Sequence, residues 1–311
     1  MLGNRMNLSS VFRGLCSCIL PLNAGGTQKS ISSILVKPAG PDCNLHCAYC
    51  FYLDKNALFP GQKQHRMTDD ILRELVKQVM QQGERQVNFG WQGGEPTLMG
   101  RDFFERAISY QKRYGRNGQT VGNGLQTNGL LIDEDFARFL KDAEFLTGLS
   151  LDGPQHVHDK YRRAKGGQPS WERVVKAGDL LLNAGAEVNA LSVVNNYSVH
   201  FVEEIYNFHK KSGVAFMQLI PCIEVTAAGN DRKVNYSPGA EEFGRFLCDL
   251  FDLWINDFRY GQPTTSVRWF DSVLHTFVGQ AAPECTLLEE CGVYLVVEHD
   301  GSVYSCDFFV E

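Results

Sequence analysis

The sequence has no run of apolar residues approaching the roughly 18 to 20 that a membrane-spanning helix needs, which excludes an integral helical membrane protein. It has no surplus of positive charge: 30 Lys and Arg stand against 36 Asp and Glu, a formal net charge of -6, so no global basic field exists to recruit nucleic acid or an anionic lipid surface. Cysteine is absent from Phe51 to Ile220 although the chain has 10, a spread too thin for a secreted disulfide scaffold and better suited to metal. What is present is an ordinary globular composition, 43% hydrophobic and 21% charged over 311 residues. That length buries roughly three quarters of the unfolded surface, as two domains or as one large domain with an appendage. The first 30 residues carry Arg5, Arg13 and Lys29 and no acid, and the apolar run Leu15 to Leu22 lacks a small-residue cleavage site. Residues 1–30 therefore read as a disordered extension outside the fold, with Cys16 and Cys18 as bystanders.

From Ser32 onward, strand-length apolar runs alternate with stretches of helical period, and six β-α units can be counted. Ile34 to Val36 opens the first, followed by a cysteine-rich loop and a helix capped by Thr68 with the stripe Leu72, Leu75, Val76, Val79. Later strands are expected at Val87–Phe89, Val121–Gln126, Phe145–Leu151, Val188–Val194 and Val214–Ile220, before a long helix from Ala240 to Phe258. Regular alternation implies an α/β fold with a parallel sheet and right-handed crossovers, either doubly wound or barrel-like. Unusual residues recur just after the strands, at the cysteine loop, Gly93-Gly94-Glu95, Gln126-Thr127-Asn128 and Ser150-Leu151-Asp152, which favours the barrel-like sheet. The pattern changes at Gly261, so the expected domains are 31–260 and a short β-rich module over 261–311.

The strongest chemical signal is Cys43-Asn44-Leu45-His46-Cys47-Ala48-Tyr49-Cys50, three thiols immediately after the first strand. A closed structural zinc site needs four ligands, whereas three thiolates on a [4Fe-4S] cluster leave one iron open. Zinc completed by His46, or buried free thiols, are the alternatives on these residues alone. Past the second strand, Gly93-Gly94-Glu95-Pro96 combines glycines that admit a close ligand with a carboxylate able to pair with an ammonium, although such a sequence is also a common turn.

The CxxxCxYC spacing with a following aromatic resembles the signature of the radical S-adenosylmethionine (SAM) enzymes. The resemblance implies a partial TIM-type barrel of six β-α units, with Cys43, Cys47 and Cys50 holding a [4Fe-4S] cluster whose open iron site binds SAM. It implies cofactor contacts from Tyr49 near the adenine, from Gly93, Gly94 and Glu95 at the amino group, and from Ser150. Arg173, on the helix after Asp152, is a candidate for SAM's carboxylate, against the plainer reading of a solvated helix arginine.

A narrower resemblance, to anaerobic sulfatase-maturating enzymes, rests on Trp91-Gln92-Gly93-Gly94-Glu95-Pro96, Leu125-Gln126-Thr127-Asn128-Gly129, Ser150-Leu151-Asp152-Gly153-Pro154 with His158-Asp159, Ser266-Val267-Arg268-Trp269-Phe270-Asp271 and Ser305-Cys306-Asp307-Phe308. It implies oxidation of a Cys or Ser of a sulfatase polypeptide to Cα-formylglycine through a 5′-deoxyadenosyl radical, with a ferredoxin or flavodoxin as electron donor and a cytoplasmic setting. Tyr52, Gln92 and Gln126 would line the peptide site and Asp307 would be the base, although as sequence alone Asp307 reads as a surface turn carboxylate. Cys285, Cys291 and Cys306, whose spacing suits ligands gathered from a turn and the end of a hairpin around Asp300-Gly301, would begin an auxiliary [4Fe-4S] cluster in a SPASM module; buried cysteines of a small β-module are the bland alternative. The chain ends before the further cysteines of such enzymes, so a truncated module with an incomplete ligand set is expected. Another radical SAM peptide modifier, for example a thioether former, and an inactive iron-sulfur binding remnant are the alternatives.

Overall fold

The computed structural model describes residues 6–7, 31–61, 63–223, 235–289 and 294–310. The fold is α/β, with mostly parallel strands arranged in β-α units as the alternation implies. The chain forms two compact units, and the division passes through the cysteine loop: residues 1–43, 52–126 and 292–311 make one, and residues 44–51 and 127–291 the other. Among the described residues no helix is long and apolar enough to cross a membrane.

In the first unit β1 (Met6–Asn7), β2 (Ile31–Lys37), β3 (Gly83–Trp91) and β4 (Thr120–Thr127) are joined by the C-terminal hairpin β9 (Leu295–Glu298) and β10 (Ser302–Tyr304). Strands β2, β3 and β4 run parallel, with Val36 opposite Trp91 and Trp91 opposite Leu125. Helix α1 (Asp69–Gln82) begins where the sequence places it. The Thr68 hydroxyl accepts from the Ile71 amide at 3.3 Å, Asp69 and Asp70 sit at the positive end of the helix dipole, and Leu72, Leu75, Val76 and Val79 are buried. Each such side chain contributes roughly 1.5–3 kcal/mol by leaving water. Helix α2 (Arg101–Tyr114) packs Phe103 and Phe104 edge-on against Trp91.

Two features of this unit differ from the sequence reading. The C-terminal hairpin lies in the main sheet: β9 runs parallel beside β2, with Val36 opposite Val297, and β10 pairs antiparallel with β9. Met6 and Asn7, in the stretch expected to be disordered, pair antiparallel with Val303 and Ser302. Such edge pairing is made by backbone groups and leaves no side-chain pattern to read.

The second unit holds β5 (Phe145–Ser150), β6 (Glu187–Val194), β7 (Phe216–Pro221) and β8 (Ser266–Val267), all parallel. Its helices are α3 (Glu134–Asp142), α4 (Gln155–Tyr161), α5 (Trp171–Ala184), α6 (Val202–Lys211), α7 (Ala240–Asn256) and α8 (Arg268–Phe277). Val157, Ile205, Met217, Phe246, Leu250, Trp254 and Phe270 form its core.

Candidate active site around the cysteine loop

The second half of the cysteine loop is tied to the residues that follow β5. The His46 amide donates to the Arg163 carbonyl at 2.7 Å and the Ala48 amide to the Tyr161 carbonyl at 3.0 Å, so backbone bonds flank Cys47 on both sides. The Tyr49 hydroxyl donates to Asp152 Oδ2, and the Asp152 Oδ1 oxygen accepts from the Val193 amide at 3.0 Å and lies 3.1 Å from Arg162 Nε. Arg162 spreads over the Tyr49 ring and brings Nη1 to 4.0 Å from Cys47 Sγ. All four residues are buried. Burial opposes the charge of Arg162, yet the Asp152 carboxylate outweighs it and holds the guanidinium well above its ordinary range; burial likewise pushes the Tyr49 phenol up.

Behind Asp152 lie two buried histidines. His158 Nε2 is 3.0 Å from Ser170 Oγ, and His209 Nε2 is 2.9 Å from Ser192 Oγ, whose hydroxyl donates to the Leu151 carbonyl. Burial lowers both to about 4, so both imidazoles are neutral at pH 7.

In the first unit the glycine turn after β3 is packed against the segment leading to Cys43. The Gly94 amide donates to the Gly40 carbonyl at 2.8 Å and the Glu95 amide to the Asp42 carbonyl at 2.7 Å. A Cβ on Gly94 would fall 2.0 Å from the Asp42 carbonyl oxygen, and Gly93 has φ of 128°, so neither position accepts a side chain. The close approach that these glycines permit is therefore to the cysteine segment itself. Asp42 is held in turn by the His65 amide at 2.9 Å and by Arg66 Nη1 at 2.6 Å. Burial acts to raise the Asp42 carboxyl, but the His65 and Arg66 bonds outweigh it and lower it. Glu95 is wholly buried, and its Oε1 accepts from the Thr97 amide at 3.0 Å and the Thr97 hydroxyl at 2.6 Å, capping the short helix Pro96–Met99.

Asp307 is buried, against its plain sequence reading as a surface turn residue, and pairs with the buried Lys37 at the end of β2. The Lys37 ammonium also lies 3.8 Å from the Tyr52 ring centroid, and the Tyr52 hydroxyl donates to Glu298, whose carboxyl burial pushes up. Two residues singled out for substrate work, Tyr52 and Asp307, thus meet around a lysine that nothing in the local pattern marks.

The remaining candidates are placed as follows. Ser150 is buried at the end of β5; Gln92 and Gln126 are half-buried, Gln92 with its amide bonded to the Val36 carbonyl at 2.9 Å. Arg173 is exposed, with Nη2 at 3.4 Å from the Leu130 carbonyl. Cys285 is exposed and belongs to the second unit; Cys306 is half-buried in the first, with Sγ 3.9 Å from the Tyr294 hydroxyl; Cys291 lies outside the described residues. Cys222 and Cys248 both sit in apolar stretches where a buried thiol is expected; Cys222 is buried, whereas Cys248 is exposed on α7.

Comparison with known proteins defines the class. Residues 38–209 match the radical SAM superfamily, a span that takes in all three cysteines of the loop, the glycine turn, Ser150 and Arg173. The chain belongs to the radical SAM superfamily. Within it, the chain is 38% identical over 278 residues to the cysteine-type anaerobic sulfatase-maturating enzyme of Clostridium perfringens, covering 89% of this chain and 75% of that protein. It is 35% identical over 291 residues to the serine-type anaerobic sulfatase-maturating enzyme of Bacteroides thetaiotaomicron, covering 89% of this chain and 69% of that one. The solved structure of native anSMEcpe with bound AdoMet superposes with a TM-score of 0.82 at 37% identity, over 90% of this chain and 76% of that chain. The chain is thus a radical SAM enzyme homologous to the anaerobic sulfatase-maturating enzymes.

Membership implies a [4Fe-4S] cluster and SAM, and the donor set suits them. Cys43, Cys47 and Cys50 are free of disulfides, Cys47 is buried with a guanidinium against its sulfur, and His46, which would complete a zinc site, is exposed. Among the described residues no three His, Cys, Asp or Glu side chains are grouped around a point as ligands of one metal ion would be. A cubane makes a different demand, because each thiolate binds a separate iron.

Proposed function

We propose that the protein oxidises a Cys or Ser side chain of a sulfatase polypeptide to Cα-formylglycine, with Cys43, Cys47 and Cys50 as cluster ligands and Glu95, Gly93, Gly94, Ser150 and Tyr49 around SAM. The observation that carries this reading is the buried Asp307–Lys37 pair beside Tyr52, in a chain 38% identical to a cysteine-type maturase. When bound, the cluster and SAM together supply a 5′-deoxyadenosyl radical able to take an unactivated Cβ hydrogen, chemistry for which no side chain suffices. The protein's task is to present the substrate carbon, shield the radical and accept the remaining thiol or hydroxyl proton, while the second electron would pass to an auxiliary cluster; the thioaldehyde formed from Cys is then hydrolysed to the aldehyde with release of sulfide.

Asp307 suits that last step. A carboxylate held by a lysine inside the protein is oriented, and it can accept a proton from a substrate side chain placed beside it. Lys37 fixes the Asp307 carboxylate and Glu298 fixes the Tyr52 ring through its hydroxyl, so both approach substrate on rigid supports. Cys285, Cys291 and Cys306 are the candidates for an auxiliary [4Fe-4S] cluster, with a ferredoxin or flavodoxin as external donor.

The test is anaerobic reconstitution followed by incubation with SAM, dithionite and a sulfatase-derived peptide bearing Cys or Ser. An aldehyde on the peptide, detected by its hydrazine adduct in the mass spectrum, is expected from the wild type. Asp307→Asn is expected to lower aldehyde formation at least about a hundredfold, the scale of a lost general base, while still releasing 5′-deoxyadenosine. A thioether on the peptide, or 5′-deoxyadenosine without any aldehyde from the wild type, would contradict the maturase reading.

A further inference from the structure

The reaction scheme above gives no work to Arg162, although it is a buried arginine whose guanidinium lies against Cys47 Sγ. Its surroundings are specific. Nη1 faces the Cys47 sulfur at 4.0 Å, and Nε faces Asp152 at 3.1 Å. The same carboxylate takes the Tyr49 hydroxyl from the cysteine loop and the Val193 amide from β6. One buried anion therefore fixes both the loop and the cation that looks at it, and the positive end of the pair points toward the sulfur.

We infer that Arg162 sets the reduction potential of the cluster bound through Cys47. Reduction adds one negative charge to the cluster, and hydrogen bonds and net charge at its sulfurs are established determinants of potential. A permanent cation against a ligating thiolate stabilises the reduced form and raises the potential, making the first electron easier to deliver from a weak external donor. The planar fork of arginine reaches Asp152 and Cys47 at once. Asp152 is the positioning residue for Arg162, holding it where the charge acts. The role is independent of the peptide substrate and rests only on superfamily membership and on Cys47 being a cluster ligand.

The experiment is a potentiometric titration of the reconstituted protein, followed by the electron paramagnetic resonance signal of the reduced cluster. It compares the wild type with Arg162→Lys, the double variant Arg162→Gln with Asp152→Asn, and Cys47→Ala. The double variant removes both charges together and so leaves no buried carboxylate alone, which keeps the fold within reach. At the wild-type midpoint, the ratio of reduced to oxidised cluster in the double variant is expected to fall about tenfold, equivalent to about 59 mV for a one-electron couple. Arg162→Lys, keeping a charge, is expected within about threefold of wild type. A double variant that carries wild-type iron and titrates within twofold of wild type would overturn the proposal. So would failure of both Arg162 variants to load iron, which would leave Arg162 a purely structural residue. Cys47→Ala is expected to lose the cluster; full iron content there would instead remove the ligand assignment, a separate failure that the iron analysis identifies on its own.

Discussion

His158 and His209 show how a single buried side chain ties stability to pH. Both are neutral in the folded protein, lowered by burial from the ordinary 6.5 to about 4. The unfolded chain binds protons on these rings below pH 6.5 while the folded protein does not, so stability is complete above that value and declines as pH falls from about 6.5 toward 4. Each ring accounts for up to about 3 kcal/mol over that window. Denaturant unfolding at a series of pH values is expected to show the decline, and His209→Gln to make it shallower by roughly half. An unchanged slope in the variant would contradict the assignment. The same scale shows where sequence reading stops. The three thiols, the glutamate, Asp152 and Asp307 are visible as letters, whereas Lys37 and Arg162 acquire meaning only from partners far along the chain, Asp307 for the first and Cys47 for the second.

At the scale of elements, the glycine turn after β3 supports the cysteine segment by contact, and substitutions separate that function from mere flexibility. Gly94→Ala would set a methyl group 2.0 Å from the Asp42 carbonyl oxygen, whereas a Cβ on Gly166 meets nothing within 4 Å. Gly94→Ala is therefore expected to cost about 3 kcal/mol or more and to reduce iron loading, and Gly166→Ala to stay within about 0.5 kcal/mol of wild type. Thermal unfolding and iron content check both. A Gly94→Ala protein as stable as the wild type would show that the turn has room to shift. Most elements here were legible, because α1, α2 and the parallel strands carry clear periodicity and caps. The helix α8 was not: from Gly261 the sequence reads as short strands and turns, and Arg268–Phe277 is rich in aromatic and β-branched residues. Its helicity comes from Phe270 packing on Trp254, with ring centroids 5.2 Å apart, and on Phe251 at 5.3 Å, a tertiary preference that outweighs the local one. The C-terminal hairpin was legible as a hairpin around Gly301 but not as a neighbour of β2, since parallel pairing over long separations leaves no local mark.

The whole molecule joins an α/β scaffold to a loop of thiols whose two halves are fixed by different means. Asp42 and the glycine turn hold the segment before Cys43, and Asp152 with Arg162 holds the stretch from Cys47 to Cys50. The central claim is that these three cysteines carry a cluster that cleaves SAM. The most direct measurement is 5′-deoxyadenosine released after anaerobic iron-sulfur reconstitution with SAM and dithionite, compared with the Cys43→Ala, Cys47→Ala and Cys50→Ala proteins. Release is expected from the wild type, with loss of at least about a hundredfold in each variant, together with the characteristic visible absorption of the cluster. Reconstituted wild type that binds iron yet releases no 5′-deoxyadenosine, or a cysteine variant that releases it at the wild-type rate, would contradict that claim.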